Sequence, residues 1–197
     1  MRFILASASP RRAELLRAAG FSFEVVVAGV DEREQPGETP SVYVRRLAAE
    51  KSAAALSIVK DPAAIVLGAD TTVVVDGAIL GKPAGDVEAA AMLRRLSGRA
   101  HQVLTGISLR RGAQEIGRVE STTVYFAALS EEDIAWYVGS GEGGDKAGAY
   151  AIQGLAARFI PRIEGSYSNV VGLPIAVLDG LIRRLSWPPD ILASKGE

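Results

Sequence analysis

At 197 residues, with 48% hydrophobic and 23% charged side chains, the chain has ample length for a sizeable core, and its composition excludes a disordered protein. Its 22 basic and 23 acidic residues leave a formal charge of −1, which argues against broad coating of nucleic acid or membrane. No cysteine is present and His101 is the single histidine, so disulfides and thiol chemistry are excluded, a His/Cys zinc site lacks its ligands, and any metal has to sit on oxygen, as magnesium or manganese do.

The N-terminus shows neither a secretion signal nor an apolar run long enough to span a bilayer, so the cytoplasm is the expected location. Phe3 to Leu5 form the centre of an expected first strand. Ser9 suits an N-cap, Pro10 suits the first helical position, and Gly20 closes the turn after AELLRAA. Arg11 and Arg12 then fall in the first helical turn, where their charge opposes the helix dipole. An anion would resolve that conflict, because it meets the free N–H groups and two guanidinium forks together.

GVDEREQPGETP is polar, acidic and turn-rich, hence a loop or lid. A second helix is expected from about Ser41 to Lys60, burying Val44, Leu47, Ala48 and Leu56 and carrying Glu50 and Lys51. IVLGAD predicts a buried strand that ends at Asp70. A separate extended stretch, an Asp76-Gly77 hairpin turn and the loop bearing Lys82 follow. The third helix is expected from Asp86 to about Leu96, capped by Asp86 and packed through Ala89, Leu93 and Leu96.

From His101 to about Leu109, alternation predicts a strand with Val103, Thr105, Ile107 and Leu109 on one face. A turn near Arg111-Gly112 leads to a partner strand ending at VYF. Ser130 to about Val138 predicts a short helix with an acidic first turn. GSGEGGDKAGAY is expected to be a loop, RFIPRIEG a strand, and Pro174 the opening of a last helix through Leu185. The mixed order of strands and helices predicts an α/β fold with two lobes flanking a cleft, one domain over 1–190 and a tail at 191–197.

Several stretches suit chemistry. Asp70, followed by Thr71 and Thr72 at an expected strand end, is placed where open α/β sheets present ligand groups, though acids there are as often structural. Its carboxylate suits a divalent metal or an oriented water. Lys82 lies between Gly81 and Pro83, which fix the loop, and Lys51 follows Glu50. Alone, either lysine is more simply a surface charge. Glu142, Asp145 and Lys146 join two carboxylates and a cation among glycines that match neither a P-loop nor a dinucleotide fingerprint. Gln153, among apolar residues, bonds either backbone or a planar ligand edge.

Other residues have plainer explanations. His101, Trp136 and Trp187 suit packing or surface roles, and Arg94-Arg95 and Arg183-Arg184 suit solvated helix faces. Ser7 and Ser9 have no triad partners, so acyl transfer has little support. An arginine pair at a helix mouth, fixed lysines and spaced acids suit a polyanion such as a nucleoside triphosphate with a divalent cation.

LASASPRRAELL, YVRRLAAEKSAAA, LGADTTVVVDGAILGKP, MLRRLSGRAHQVLTG and GEGGDKAGAYAIQGLAARFI…IEGSYSNVVGLP resemble, in order, the signature blocks of the Maf proteins, nucleotide pyrophosphatases once described as septum-formation inhibitors. The likeness runs from about Leu5 to Leu178. It implies a mixed twisted sheet with flanking helices in two lobes around a deep cleft, related to the inosine triphosphatases, and commonly a homodimer. It also implies hydrolysis of a nucleoside triphosphate to monophosphate and diphosphate with Mg²⁺ or Mn²⁺, by metal-assisted attack of water at the α phosphate.

DTT after GA, with Thr71 where the 7-methyl-GTP branch carries glutamine, resembles the dTTP/UTP branch. By this likeness Asp70 is the catalytic acid, as proton acceptor or metal ligand, and Arg11, Thr71 and Gln153 match positions associated with base selection. Ser7, Arg12, Lys51, Lys82, Asp145 and Lys146 fall in the shared polar cleft. Lys51, Lys82 and Arg12 are expected to serve catalysis by neutralising phosphate. The same chemistry on 7-methyl-GTP or modified nucleotides, and a non-enzymatic nucleotide-binding regulator of septation, are the rival readings. The usual GEPxDKAG is GEGGDKAG here, and glycine for proline at 143 predicts a looser loop before Asp145.

Overall fold

The computed structural model describes residues 2–184. The expected tail, Trp187 and the expected helix end at Leu185 lie outside them. Among the described residues, seven strands and six α-helices follow in the order β1 (Phe3–Ala6), α1 (Pro10–Ala18), β2 (Glu24–Val25), α2 (Pro40–Val59), β3 (Ile65–Val75), β4 (Ala78–Leu80), α3 (Asp86–Leu96), β5 (Ala100–Arg111), β6 (Gln114–Tyr125), α4 (Glu131–Gly139), β7 (Arg162–Glu164), α5 (Tyr167–Val171) and α6 (Ile175–Arg184). The strands are hydrogen-bonded in the order β2-β1-β3-β5-β6-β7, with β4 on β3. β1 runs parallel to β2 and β3, whereas β3–β4 and β6–β7 are antiparallel, which makes the sheet mixed.

Two compact units share these elements. One holds residues 2–70, Thr105–Glu120 and residues 172–184; the other holds Thr71–Leu104 and Ser121–Val171. In the first, period-2 alternation covers both strand faces. Phe3, Leu5, Ile65, Leu67 and Ala69 pack with Leu16 of α1 and Leu178 and Leu181 of α6, while Ile4, Ala6 and Val66 pack with Ala55 of α2. α2 starts at Pro40, with Thr39 Oγ1 accepting from the Val42 N–H at 3.4 Å, and buries Val44, Leu47 and Ala48. Leu56 is only partly buried, and Ser52 and Ala55 are the enclosed residues of that stretch.

Two glycines let α2 lie directly on strand backbone. A Cβ on Gly68 would stand 2.1 Å from the Ala48 carbonyl oxygen, and one on Gly106 would stand 2.3 Å from that of Val44. Real Cβ contacts are never that short, so the helix reaches this depth only over bare backbone. On the same face of β5, Ser108 Oγ lies 2.8 Å from Ser52 Oγ and donates to Glu115 Oε1 at 2.6 Å.

The second unit packs Val73, Val75 and Leu80 against Leu93 and Leu96 of α3, with Val103, Val124, Ile134, Tyr137 and Phe159 completing the core. Asp76 and Gly77 both adopt positive φ and join β3 to β4 in a two-residue turn, as expected. α4 opens with a capping box between Ser130 and Asp133. His101 is 3% exposed, lies edge-on to Phe126 and Tyr150, and pairs Nε2 with Tyr150 Oη at 2.8 Å.

Several expectations need correction. β3 does not end at Asp70; the β-branched run TTVVV continues it to Val75, so Asp70 is mid-strand. Gly85, not Asp86, caps α3, and Asp86 sits in its first turn. Ser9 caps α1 by backbone position but makes no side-chain cap bond. RFIPRIEG divides: Leu155–Phe159 is a 3-10 helix and only Arg162–Glu164 is strand. α5 was not expected.

Burial holds the His101 pKa down, from its ordinary 6.5 to about 4. The unfolded chain takes up a proton below its ordinary value, while the folded chain does not until the lower one. Stability therefore falls as pH drops through that window. From pH 7.5 to pH 5 the expected loss is about 2 kcal/mol, measured by urea unfolding, and His101→Gln removes it. Equal pH dependence in variant and wild type would exclude His101 as its source.

Candidate functional site

Asp70 shares its strand face with Gly68 and therefore points toward α2. There Lys51 Nζ donates to Asp70 Oδ1 at 2.6 Å. Both side chains are largely enclosed, at 13% exposure for Lys51 and 10% for Asp70. Burial pushes the Asp70 carboxyl above its ordinary pKa, and the charges of Lys51 and Arg12 oppose that rise. Lys51 Nζ also meets Glu32 Oε1 at 2.7 Å, so two carboxylates converge on one ammonium.

Arg12 is buried in the first turn of α1, and the loss of water holds its pKa down while Asp70 opposes that shift. Its Nε donates to the Gly172 carbonyl at 2.8 Å, and its Nη1 donates to the Ala69 carbonyl at 2.9 Å and to Ser7 Oγ at 3.0 Å. Ser7 Oγ also accepts from the Ser9 N–H at 3.2 Å, so Ser7 rather than Ser9 shapes the entry to α1. Arg11 beside it is half-buried. In the first unit, Ser7 with Arg12 and Glu32 with Lys51 and Asp70 thus form two bonded polar groups, coupled by the attraction between the Arg12 and Asp70 charges.

The remaining expected site residues belong to the second unit. Thr71 follows Asp70 on β3 and is half-buried, and Lys82 is exposed just after β4. Lys146 Nζ donates to the Glu142 carbonyl at 2.6 Å and to Asp145 Oδ1 at 2.5 Å. Glu142 holds the loop rather than offering a carboxylate. Its Oε2 accepts from Tyr137 Oη at 2.7 Å and its Oε1 from the Leu155 N–H at 2.9 Å. Gln153 is exposed in the turn closed by the Gly154 N–H on the Ala151 carbonyl. Gly143 does not act as slack: it is buried, and a Cβ there would stand 2.1 Å from the Ala149 carbonyl oxygen. Its missing side chain is used for close packing.

Glu32 is the residue that sequence reasoning passed over. Its only sequence signal is an acidic loop, and nothing in GVDEREQPGETP separates Glu32 from Asp31 or Glu34. Its place at Lys51 depends on how the loop lies on α2. Among the described residues no group of three or more His, Cys, Asp and Glu converges as a metal cage, and no helix is long and apolar enough to cross a membrane.

Comparison with known proteins places this geometry in context. The family model described as Maf-like protein matches residues 2–185. A protein of Symbiobacterium thermophilum named dTTP/UTP pyrophosphatase is 54% identical over 187 residues, covering 95% of each chain. Proteins of the same name from Anaeromyxobacter dehalogenans strain 2CP-C, 50% identical over 95% of each chain, and Shewanella denitrificans, 46% identical over 98% of this chain and 100% of that one, also match. The Ham1 protein of Staphylococcus aureus superposes with a TM-score of 0.53 at 16% identity, over 94% of this chain and 100% of the other, and shares the fold.

Proposed function

The chain belongs to the Maf family, and from that premise we propose that it hydrolyses dTTP and UTP to dTMP or UMP and diphosphate. The observation that carries this reading is the enclosed Asp70 carboxylate, gripped by Lys51 at one oxygen, in a chain about half identical to relatives named for that reaction. Water attacks the α phosphorus, the new P–O bond forms as the bond to the β-phosphate bridge oxygen breaks, and diphosphate leaves. Asp70 accepts the proton. Lys51 orients the carboxylate through Oδ1, which leaves Oδ2 for the water. Its raised pKa makes Asp70 a stronger base than an exposed aspartate.

Lys51, Lys82, Arg11 and Arg12 neutralise phosphate charge, with Arg12 also holding Ser7 in place. Ser7, Asp145 and Lys146 are assigned to phosphate, and Thr71, Arg11 and Gln153 to the pyrimidine, on the family resemblance. The donor set suits a hard cation: Asp70 and Glu32 already share one positive charge, and magnesium is bound by one or two carboxylates with phosphate oxygens and water completing its shell. In the alternative role that the family resemblance allows, Asp70 binds the ion instead of taking the proton: with Glu32 it would then hold Mg²⁺ or Mn²⁺, which would supply charge neutralisation on the phosphate oxygens. A homodimer in the cytoplasm completes the proposal, and a monomer alone in sedimentation velocity would remove the dimer.

Assaying pyrophosphate release from dTTP, UTP and 7-methyl-GTP with Mg²⁺ or Mn²⁺ tests the reading. Release from dTTP and UTP is expected; nucleotide binding without release would favour the regulator, and preference for 7-methyl-GTP would favour the other branch. Asp70→Asn should lower kcat by roughly a thousandfold with the fold intact, and near-normal turnover would unseat Asp70. Gln153→Ala is expected to weaken the preference for dTTP over 7-methyl-GTP by about three- to tenfold; an unchanged ratio counts against its role.

A further inference from the structure

The segment from Asp31 to Glu38 carries Asp31, Glu32, Glu34 and Glu38, and Glu32 stands at Lys51, the lysine assigned above to phosphate. Four like charges on a surface loop repel one another and disfavour a single conformation. One face of α2 opposes that tendency. Tyr43 Oη donates to the Glu32 carbonyl at 2.9 Å, and Arg46 Nη2 donates to the Arg33 carbonyl at 3.1 Å. Arg46 Nε and Nη2 then fork onto the two oxygens of Glu38, each at 2.7 Å. Glu38 passes the restraint on: its Oε2 accepts from the Gln35 N–H at 3.1 Å, and its own N–H donates to the Gln35 carbonyl at 3.0 Å.

Tyr43, Arg46 and Glu50 follow helical spacing, and Glu50 steadies Arg46 from one turn further along at 3.3 Å. The Arg46 and Glu38 side chains are 16% and 4% exposed, whereas the Arg33–Asp31 pair in the same loop is 87% and 59% exposed. Exposed pairs of the second kind contribute little order, while a shielded bidentate fork fixes both distance and direction. Arg46 therefore holds the loop at its far end, Tyr43 holds it at Glu32, and Lys51 lies further along the same helix.

We infer that Arg46 is a positioning residue for the proposed reaction: by fastening Glu38 and the Arg33 carbonyl to α2, it delivers the Glu32 carboxylate to Lys51 and thereby sets the charge around Asp70. The inference rests on the function proposed above. It assigns Arg46 no contact with substrate. A lysine keeps the charge but not the planar fork, so Arg46→Lys separates the two.

Hydrogen exchange and steady-state kinetics on the full chain test it together. In Arg46→Lys, amides of residues 34–38, that of Gln35 above all, should exchange faster while the rest of the chain is unchanged. Per folded molecule, kcat should fall on the order of ten- to a hundredfold with KM held within about twofold. In a Glu32→Gln background the same substitution should change kcat by less than about twofold, because its effect runs through Glu32. Unchanged exchange in the loop overturns the inference. So does an equal fractional loss of kcat in both backgrounds, which assigns Arg46 to general stability. If wild-type protein releases no pyrophosphate from dTTP or UTP, the functional reading fails, while the exchange data still decide whether Arg46 holds the loop.

Discussion

Contact between α2 and the bare backbone of β3 at Gly68 is the constraint on which the candidate site depends. With no side chain at 68, the helix descends until the Ala48 carbonyl oxygen lies 2.1 Å from where a Cβ would be. Two residues further along the same strand face, Asp70 then meets Lys51 at hydrogen-bond distance. Gly106 repeats the arrangement on β5, and the Ser52–Ser108 pair fixes the register with bonds enclosed at both ends. A helix standing higher on the sheet would leave a lysine and an aspartate in the same sequence positions without bringing them together.

That depth also determines the electrostatics. Enclosing Asp70 takes it away from water and raises its pKa, while Lys51 and Arg12 supply the positive charge that keeps an ionised carboxylate tolerable. Arg12 is itself short of water, and it directs donors at two backbone carbonyls and Ser7. The arginine pair at the mouth of α1 is accordingly divided in environment. Arg12 is buried and braces the junction of β1, β3 and the chain at Gly172, and Arg11 stays half-exposed. The awkward placement of two cations against a helix dipole is answered for Arg12 by protein oxygens.

In the second unit the glycine-rich segment is organised by a carboxylate. Glu142 gathers the Tyr137 hydroxyl and the Leu155 N–H, and Tyr137 in turn accepts the Ala151 N–H at 3.0 Å. Gly143 lets the chain close against Ala149. Glycine at this point exchanges the stiffness of a proline for proximity, and the loop that carries Asp145 and Lys146 is set by packing and by Glu142 together.

Much of the architecture was legible in the chain. Proline after a capping residue marked α1, the spacing of apolar residues marked α2, Asp76-Gly77 marked the hairpin, an acidic first turn after Ser130 marked α4, and apolar alternation marked β5. These signals act within a few residues, so local sequence determined them. The run from Asp70 through TTVVV was misjudged because a polar residue inside a strand resembles a strand end until its partner on a neighbouring helix is known. The resemblance of ordered motifs identified the family and nominated Asp70, Lys51 and Arg12. Tertiary structure alone decided that Lys51 touches Asp70, that Arg12 turns inward, and that Glu32, rather than another acid of its loop, reaches the same ammonium. Each of those contacts joins residues separated by many positions along the chain, and helix depth, strand face and loop fastening, which no local pattern encodes, bring them within reach.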